Sequence, residues 1–340
     1  MTEAPLLEVE HVVHHYTSAS RLRPSRSRVT VHAVDDVSFS LARGETLGVV
    51  GESGCGKSTL ARCLVRLLTP TSGTIRCEGV DITRMSARQL RPLRGDIQMV
   101  FQDPRSSLNP RRRIRDSVGA AVRVAGVEDV DARVSELLDV VGLDPRIGGR
   151  FPHEVSGGQR QRVGVARALG ADPKLIVLDE PVSALDVSIQ AQLINLLDDL
   201  QDAFGLSYIF VAHDLAVVRH VSRRIAVMYL GKLVEVAASD DLFAAPHHPY
   251  TSALIGAIPV PEARHGRSRR RRDVLAGEPP SPISPPSGCR FHPRCPRATA
   301  VCAREEPPLV DSGGGHLFAC HHPLHLETAA KEVEAGHERV

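Results

Sequence analysis

Val49-Val50-Gly51-Glu52-Ser53-Gly54-Cys55-Gly56-Lys57-Ser58-Thr59 is the stretch of sequence that decides the fold. The residues before the first glycine, 46–50, form a short apolar run typical of a buried strand. Beyond the stretch, Leu60, Leu64 and Leu68 recur at helical spacing. A glycine-rich loop between a strand and a helix, with the spacing G-x-x-x-x-G-K-[ST], is typical of a phosphate-binding loop. The stretch therefore predicts a nucleotide site where a strand ends and a helix begins.

The residue types of this loop fit phosphate chemistry. Gly51, Gly54 and Gly56 carry no side chain, so the backbone can close around an anion and direct its N–H groups at phosphate oxygens. We expect Lys57 to reach the β- and γ-phosphates and Ser58 to hold Mg²⁺. The other loop residues predicted to contact the nucleotide are Ser53, Cys55 and Thr59.

Length and charge limit the class of protein. The chain of 340 residues has room for one large α/β domain with an appendage, or for two domains. Acidic and basic residues nearly balance at a formal net charge of +2, which gives no reason to expect nucleic acid as a partner. No apolar run approaches the ~20 residues of a membrane-spanning helix, and the amino terminus lacks a secretion signal. We therefore expect a soluble, intracellular chain.

Strand patterns alternate with helical patterns after the loop, which favours a parallel sheet. Apolar runs at 97–101, 174–178 and 207–212 predict buried strands, and helical periodicity over 114–142 predicts a helical subdomain inserted into the α/β core. Polar residues follow each strand run, where parallel sheets bind ligands: Gln102, then Asp179 and Glu180, then His213. A carboxylate at Asp179 can hold the hydration shell of Mg²⁺, and Glu180 can polarise an attacking water. This pair indicates hydrolysis.

A second loop motif places the chain in a family. Ser156-Gly157-Gly158-Gln159 opens a helix about a hundred residues after the phosphate loop, with Ser156 as the predicted N-cap. With Gln102, Asp179-Glu180, Ser183-Ala184-Leu185-Asp186 and His213 in order, residues 6–245 resemble the ATP-binding-cassette ATPases. Val155 stands where that family usually has leucine, a mild departure. The resemblance implies an α/β nucleotide-binding domain of the P-loop type at 1–250, with a helical subdomain at about 103–170.

The resemblance also implies a role for each motif residue. Tyr16 would stack on adenine, although a tyrosine at a strand end is the simpler alternative. Gln102 would contact Mg²⁺ or the attacking water, and His213 would contact the γ-phosphate beside Glu180. Ser156 and Gly158 would bind the γ-phosphate of a nucleotide held by a second ATPase subunit. The remaining residues that the resemblance assigns to the nucleotide are Gly157, Gln159 and Asp186.

Composition shifts after residue 250, where we place an extension at 251–340 with a linker at 259–286. His248-Pro249-Tyr250-Thr251 and Gly288-Cys289-Arg290-Phe291-His292-Pro293-Arg294-Cys295-Pro296 resemble the C-terminal extension of oligopeptide/dipeptide importer ATPases. This implies ATP-driven import at the cytoplasmic face of a bacterial inner membrane. The implied partners are a second ATPase subunit (a copy or a paralogue), two membrane-spanning permease subunits and, indirectly, an extracytoplasmic binding protein. The resemblance further implies that residues 106–113 contact a membrane subunit.

Three alternatives to peptide import remain at this point. One, a nucleotide-regulated iron–sulfur or zinc protein without transport, rests only on the cysteines near the end of the chain. Nickel-importer and other small-solute importer ATPases are close relatives of the same group. Soluble cassette ATPases of DNA repair or translation form a different class, but their long inserts or paired cassettes do not match one cassette with a short insert.

Four of the seven cysteines lie close together in the extension, at Cys289, Cys295, Cys302 and Cys320. In a reducing compartment such clustering favours metal over disulfides. The resembling extensions carry cysteines in this arrangement, which implies a [4Fe–4S] cluster. The spacings of five, six and seventeen intervening residues lack the tight pair with which zinc sites usually begin. Zinc, with His292, His316, His321 or His322 as a substitute ligand, and four metal-free thiols are the alternatives.

Overall fold

The structure is a computed structural model that describes residues 4–19, 28–103, 107–183, 185–258 and 277–325. The described strands are β1 Leu7–Ala19, β2 Arg28–Leu41, β3 Thr46–Val50, β4 Ser72–Cys77, β5 Val80–Asp81, β6 Ile97–Val100, β7 Leu175–Asp179, β8 Ser207–Ala212, β9 Arg224–Tyr229, β10 Lys232–Ala238, β11 Val310–Asp311 and β12 Leu317–Phe318.

The described α-helices are α1 Lys57–Leu64, α2 Ala87–Leu90, α3 Ile114–Val124, α4 Val130–Val140, α5 Gly157–Leu169, α6 Val187–Phe204, α7 Leu215–Val221, α8 Ser239–Ala244, α9 Pro249–Gly256 and α10 Ala300–Arg304. Short 3₁₀ turns occupy Arg91–Arg94, Pro145–Gly149, Pro152–Glu154 and His292–Arg294. Among these described helices, none has the length and apolar character needed to cross a membrane.

The chain forms two compact units, each assembled from three segments. Unit 1 comprises Met1–Val12, Ser38–Leu47 and Ser58–Ala212, and unit 2 comprises Val13–Val37, Gly48–Lys57 and His213–Val340.

Unit 1 contains the parallel sheet that the apolar runs predicted. β6 pairs in parallel with β7, and β7 with β8, so that Val100 lies opposite Leu178 and Leu178 opposite Phe210. Every residue of β7 and β8 is buried, as expected of parallel strands covered on both faces. The parallel direction brings the carboxyl ends of these strands to one edge of the sheet, where Gln102 and Glu180 follow β6 and β7.

The predicted helical run over 114–142 is wrong in one respect, because it forms two helices, α3 and α4. Gly126 adopts a φ of +78°, a left-handed conformation that ends α3. Asp129 then starts α4 as its N-cap, where its carboxylate accepts a hydrogen bond from the backbone N–H of Ala132 at 3.0 Å. Hydrophobic periodicity continues across the break, so it could not reveal it.

The helix after the phosphate loop is also shorter than its leucine spacing predicted. α1 ends at Leu64 and does not reach Leu68. Arg66 takes a φ of +55°, and its guanidinium donates hydrogen bonds to the carbonyls of Ile82 at 2.7 Å and Leu68 at 3.2 Å. The backbone N–H groups of Leu67 and Leu68 both donate to the carbonyl of Arg62, at 2.9 and 3.1 Å, which closes the end of the helix.

Unit 2 joins residues of the extension to an antiparallel sheet. β9 pairs with β10, and β12 adds to β10 with Glu235 opposite Phe318 and Val236 opposite Leu317. The rings of Tyr229, Tyr250 and Phe291, all at most 1% exposed, pack with centroids 4.7 to 5.4 Å apart. The extension therefore shares a core with β9 and β10.

The predicted linker at 259–286 falls partly outside the described part of the chain, since residues 259–276 are not described. Within its described end, the carbonyl of Pro282 accepts a hydrogen bond from the backbone N–H of His32 at 2.9 Å. This end is therefore tied to β2 in unit 2.

Candidate nucleotide site and cysteine cavity

The phosphate loop of unit 2 requires glycine at defined positions. Gly54 has a φ of +79°, which side-chain-bearing residues rarely adopt. A Cβ atom at Gly56 would lie 1.8 Å from the carbonyl oxygen of Ala33, so the backbone there passes too close for any side chain. These constraints fix the closed loop that the sequence predicted.

Lys57 lies inside this loop and is 4% exposed. Its Nζ donates hydrogen bonds to the carbonyls of Gly51 at 2.8 Å and Glu52 at 3.1 Å. The loop carbonyls therefore hold the ammonium group against the backbone of the phosphate loop. The position fits the predicted contact with phosphates.

Unit 1 pairs Ser58 with Asp179. The Ser58 hydroxyl donates a hydrogen bond to Asp179 Oδ1 at 2.8 Å, and Asp179, the last residue of β7, is 1% exposed. A hydroxyl and a carboxylate are hard oxygen ligands of the kind that Mg²⁺ prefers. Two of the three residues predicted to contact Mg²⁺, Ser58 and Asp179, therefore lie together, and their oxygen donors fit that ion.

Unit 1 also brings Gln102 to Glu180. Gln102 Nε2 donates a hydrogen bond to Glu180 Oε2 at 2.8 Å. Glu180 has a φ of +46°, and its backbone N–H donates to the carbonyl of Val211 at 2.9 Å. A non-glycine residue held in the left-handed region is strained, and such strain concentrates at functional sites. The structure thus places Glu180, predicted to polarise the attacking water, in contact with Gln102, predicted to contact Mg²⁺ or that water.

The Ser156–Gln159 motif starts α5 through a reciprocal capping box. Ser156 Oγ accepts from the backbone N–H of Gln159 at 3.2 Å, and Gln159 Oε1 accepts from that of Ser156 at 2.9 Å. A Cβ at Gly158 would lie 2.8 Å from Ile189 of α6. Ser156 is exposed, whereas Gln159 and Gly158 have structural roles that the sequence analysis missed. The spacing S-x-x-Q is the signal that could have revealed the capping box.

Three other predicted nucleotide contacts, Tyr16, His213 and Asp186, occupy exposed positions, whereas Cys55 of the phosphate loop is buried. Tyr16 on β1 is 40% exposed. Its ring packs edge-on against the ring of His14, with the two centroids 4.7 Å apart. His213 is exposed directly after β8. Asp186 is the exposed N-cap of α6, and Val187 beside it is 81% exposed; Ala184 of the same motif lies outside the described residues.

The four late cysteines line one narrow cavity in unit 2. Cys289, Cys295, Cys302 and Cys320 surround it together with His292, Phe291, His321 and His322. Burial raises the pKa of the Cys289 and Cys295 thiols and raises the pKa of Cys320 to about 11. The thiols that lie far apart in sequence thus share one site.

The sulfur atoms of this cavity are more widely spaced than those of a zinc site. Among the residues that the structure describes, no three of the four sulfurs lie within 4.8 Å of one another. Four thiolates on one Zn²⁺, at Zn–S distances of about 2.3 Å in a tetrahedron, would lie roughly 3.8 Å apart.

His316, a predicted substitute ligand, does not line the cavity, so that prediction is wrong. Its Nε2 donates to Oε1 of the fully buried Glu235 at 2.7 Å, and its ring stacks on His247 at 4.1 Å and 8°. Burial opposes the charge, but hydrogen bonds from His316 and the backbone hold the pKa of Glu235 below its usual value. The in-plane lone pairs of two stacked rings lie in two separate, nearly parallel planes, so they do not meet at one ion. We interpret this cluster as structural.

Glu52 of the phosphate loop has two partners that no motif in the sequence predicts. Arg294 donates to both carboxylate oxygens of Glu52, at 2.8 and 3.0 Å, and the Tyr250 hydroxyl accepts from the Glu52 backbone N–H at 3.0 Å. The negative charge of Glu52 is the feature of the sequence that could have predicted such a partner, because a carboxylate within a phosphate-binding loop favours a cation nearby.

The comparisons with known proteins match both parts of the chain. The family described as "ABC transporter" matches residues 34–183, and "Oligopeptide/dipeptide transporter, C-terminal region" matches residues 234–302. The oligopeptide transport ATP-binding protein AppF of Bacillus subtilis is 53% identical over 295 residues, covering 86% of this chain and 89% of that protein. The chain belongs to the ATP-binding proteins of oligopeptide ABC transporters.

Further relatives of this ABC transporter family agree. A probable peptide ABC transporter ATP-binding protein of Sinorhizobium fredii is 52% identical over 93% of this chain and 89% of its own length. The solved structure of cbiO1 from Clostridium perfringens, part of an ABC transporter complex, has a TM-score of 0.61 at 27% identity and covers 71% of this chain and 92% of its own. The cassette MJ0796, a dimer bound to ADP and Pi, has a TM-score of 0.60 at 25% identity, covering 68% and 98%.

Family membership confirms the predicted fold class and the predicted enzyme class. The chain is an ABC ATPase whose ATP hydrolysis is coupled to transport. ABC ATPases of importers act as dimers with membrane permease subunits.

Proposed function

We propose that this chain hydrolyses ATP to energise the import of oligopeptides or dipeptides across a bacterial inner membrane. The observation that carries the hydrolytic part is the contact between Gln102 and Glu180 at 2.8 Å, next to Asp179 at the end of β7, which accepts a hydrogen bond from Ser58 of α1. The names of the relatives support peptides, and not nickel, as the transported class.

Four residues of unit 1 have a role in this proposal: Ser58, Gln102, Asp179 and Glu180. Bound Mg²⁺ would neutralise the charge that develops on the phosphates during hydrolysis. Ser58 and Asp179 would hold that ion through their oxygen atoms. Glu180 would accept a proton from the attacking water, and Gln102, hydrogen-bonded to the Glu180 carboxylate, would orient that carboxylate. In unit 2, Lys57 would bind the β- and γ-phosphates, Tyr16 would stack on adenine, and His213 would contact the γ-phosphate.

We propose that a second ATPase subunit completes the site. Ser156 and Asp186 are exposed at the N-termini of α5 and α6, and the neighbouring Val187 is 81% exposed. Helix N-termini favour anions, and an exposed valine favours burial against a partner. Ser156, Gly157 and Gly158 would therefore act on the nucleotide of the partner subunit.

We propose that the segment after Gln102 contacts the permease subunits and that the chain binds peripherally at the cytoplasmic face of the membrane. Of the predicted segment 106–113, residue 106 lies outside the described residues. Leu108 is buried, and the Ser107 carbonyl accepts from Arg167 at 2.6 Å, whereas residues 109–113 are exposed. The anchored start and exposed end suit a segment that transmits a shift at Gln102.

Reconstitution tests this function. The chain, its partner ATPase subunit and both permease subunits are placed in proteoliposomes with the binding protein inside. We expect ATP added outside to drive peptide accumulation, and Glu180→Gln in every ATPase subunit to abolish it. ATP hydrolysis without uptake of any peptide, but with uptake of Ni²⁺, would overturn the peptide assignment and keep the ATPase.

We also propose that Cys289, Cys295, Cys302 and Cys320 hold a [4Fe–4S] cluster. Four thiols on one cavity match the ligand count of such a cluster, and the spacing of their sulfurs exceeds that of a zinc site. Four histidines line the cavity, and each has a hydrogen-bond partner at one ring nitrogen: His248 with the Tyr250 N–H, His292 with the Cys289 carbonyl, His321 with the Glu305 carbonyl, and His322 with Thr299.

Anaerobic purification tests the cluster. We expect brown protein with about four iron atoms per chain, and loss of iron in Cys295→Ser. Cys63→Ser, which replaces a buried cysteine of α1, serves as the matched control and should retain iron. Stoichiometric zinc, or four freely alkylated thiols in the native anaerobic protein, would refute the proposal.

A further inference from the structure

Glu52 places a negative charge in a loop that must bind an anion. Its side chain is 23% exposed, and it precedes Ser53 and Gly54 in the phosphate loop. A free carboxylate at this position would repel the phosphates of a nucleotide. The loop therefore needs a cation that neutralises Glu52 and fixes its direction.

Arg294 supplies that cation. It forms a bidentate pair with Glu52, at 2.8 and 3.0 Å, and its side chain is only 6% exposed. The guanidinium also lies over the ring of Tyr229, 5.9 Å from its centroid. A buried, bidentate arginine–carboxylate pair has a fixed geometry, unlike an exposed pair between flexible side chains.

A second arginine of the extension holds the same loop indirectly. Arg290 donates to the carbonyl of Leu230 and to the carboxylate of Asp35. Gly231, which follows Leu230 in the chain, donates its backbone N–H to the carbonyl of Cys55 in the phosphate loop at 2.8 Å. Two arginines four residues apart thus hold the phosphate loop. Arg294 binds the side chain of Glu52, and Arg290 binds the turn at Leu230 and Gly231 that contacts Cys55.

We propose that Arg294 is a positioning residue for nucleotide binding, which neutralises Glu52 and holds its carboxylate away from the phosphates. The C-terminal extension is then part of the nucleotide site. This inference rests on the proposed role of the phosphate loop and adds a residue to it, Arg294, that no motif of the loop contains.

Calorimetric titration of the full chain with MgADP at low salt tests the proposal. Arg294→Gln leaves an unpaired carboxylate in the loop and should weaken MgADP binding by about tenfold. Glu52→Gln removes that carboxylate and should bind MgADP at least as tightly as the unaltered chain. The double variant Glu52→Gln/Arg294→Gln has no uncompensated charge and should recover to within about threefold of the unaltered affinity.

A merely structural arginine would give another pattern, because removing Glu52 as well could not repair a lost packing contact. A double variant as weak as Arg294→Gln, or normal binding by Arg294→Gln, would overturn the proposal. Arg304→Gln, which changes an exposed arginine of α10, is the charge-matched control and should bind MgADP normally. If Arg294→Gln does not fold, the MgADP titration of Glu52→Gln is the test. Weaker MgADP binding by Glu52→Gln than by the unaltered chain would overturn the proposal. Absence of MgADP binding by the unaltered chain would instead overturn the phosphate-loop assignment.

Discussion

Glu180 combines an unusual backbone conformation with a carboxylate held by Gln102. If it is the general base, Glu180→Gln should reduce ATP turnover by about 10²- to 10⁴-fold and leave nucleotide affinity intact, because the isosteric amide cannot accept the proton. Steady-state hydrolysis and MgADP titration measure the two properties separately. Turnover close to that of the unaltered chain, in a dimer altered at both sites, would contradict the role. Glu128→Gln, at an exposed position before α4, is the matched control.

His248 links the stability of unit 2 to pH. It is 1% exposed, and burial lowers its pKa to about 4. Because the unfolded chain, with a histidine pKa near 6.5, takes up the proton first, stability is complete above that value and falls as pH drops toward 4. The loss reaches about 3 kcal/mol by pH 4.

Denaturation midpoints between pH 7 and pH 4 measure this loss. His248 Nδ1 accepts from the backbone N–H of Tyr250 at the start of α9, and an asparagine oxygen can do the same. We therefore expect His248→Asn to fold and to show a flatter pH dependence in this window. His220→Asn, at an exposed position on α7, should show the slope of the unaltered chain. Equal slopes in both variants would disprove the assignment to His248.

At the scale of elements, the start of α5 has two separable tasks. Ser156 caps the helix, and in the proposed dimer it also faces the nucleotide of the partner. Ser156→Arg removes the cap at a cost of about 1 kcal/mol and introduces bulk, so we expect normal MgADP binding but no ATP turnover. Ser156→Thr keeps the capping oxygen and should retain both. Loss of MgADP binding by Ser156→Arg would show that the motif acts on its own chain's nucleotide.

Local sequence signals predicted the elements that depend on local physics. The apolar run before Asp179 predicted β7, because a strand buried on both faces has no polar position. The serine at position 156 predicted the N-cap of α5. The break at Gly126 was not predictable from periodicity, because the apolar positions keep their phase across it.

Partners distant in sequence were beyond these signals. Glu52 and Arg294 are 242 residues apart, and only the folded chain brings them together. Likewise, the sequence grouped His316 with the cysteines by proximity, whereas the pairing of β12 with β10 takes it to Glu235.

At the scale of the whole molecule, a site completed by two chains predicts complementation if the chain pairs with itself. Lys57→Ala and Ser156→Arg should each abolish hydrolysis, because every site then lacks one contribution. In a mixture, about half of the dimers combine one chain of each kind, and each of these contains one intact site. ATP turnover of the mixture should recover to about a quarter of normal. Failure to recover, with mixed dimers confirmed by native mass spectrometry, would contradict the two-chain site.

The seven residues from Cys289 to Cys295 contribute to both the cysteine cavity and the support of the phosphate loop. Their end residues line the cysteine cavity, and Arg290 and Arg294 secure the phosphate loop. Substitution at the exposed Pro293 affects neither set of contacts directly. Inserting or deleting one residue displaces a cysteine and an arginine together, so no compensating change at either neighbour alone can restore both. The number of residues in this segment is therefore under stricter constraint than the identity of its exposed members.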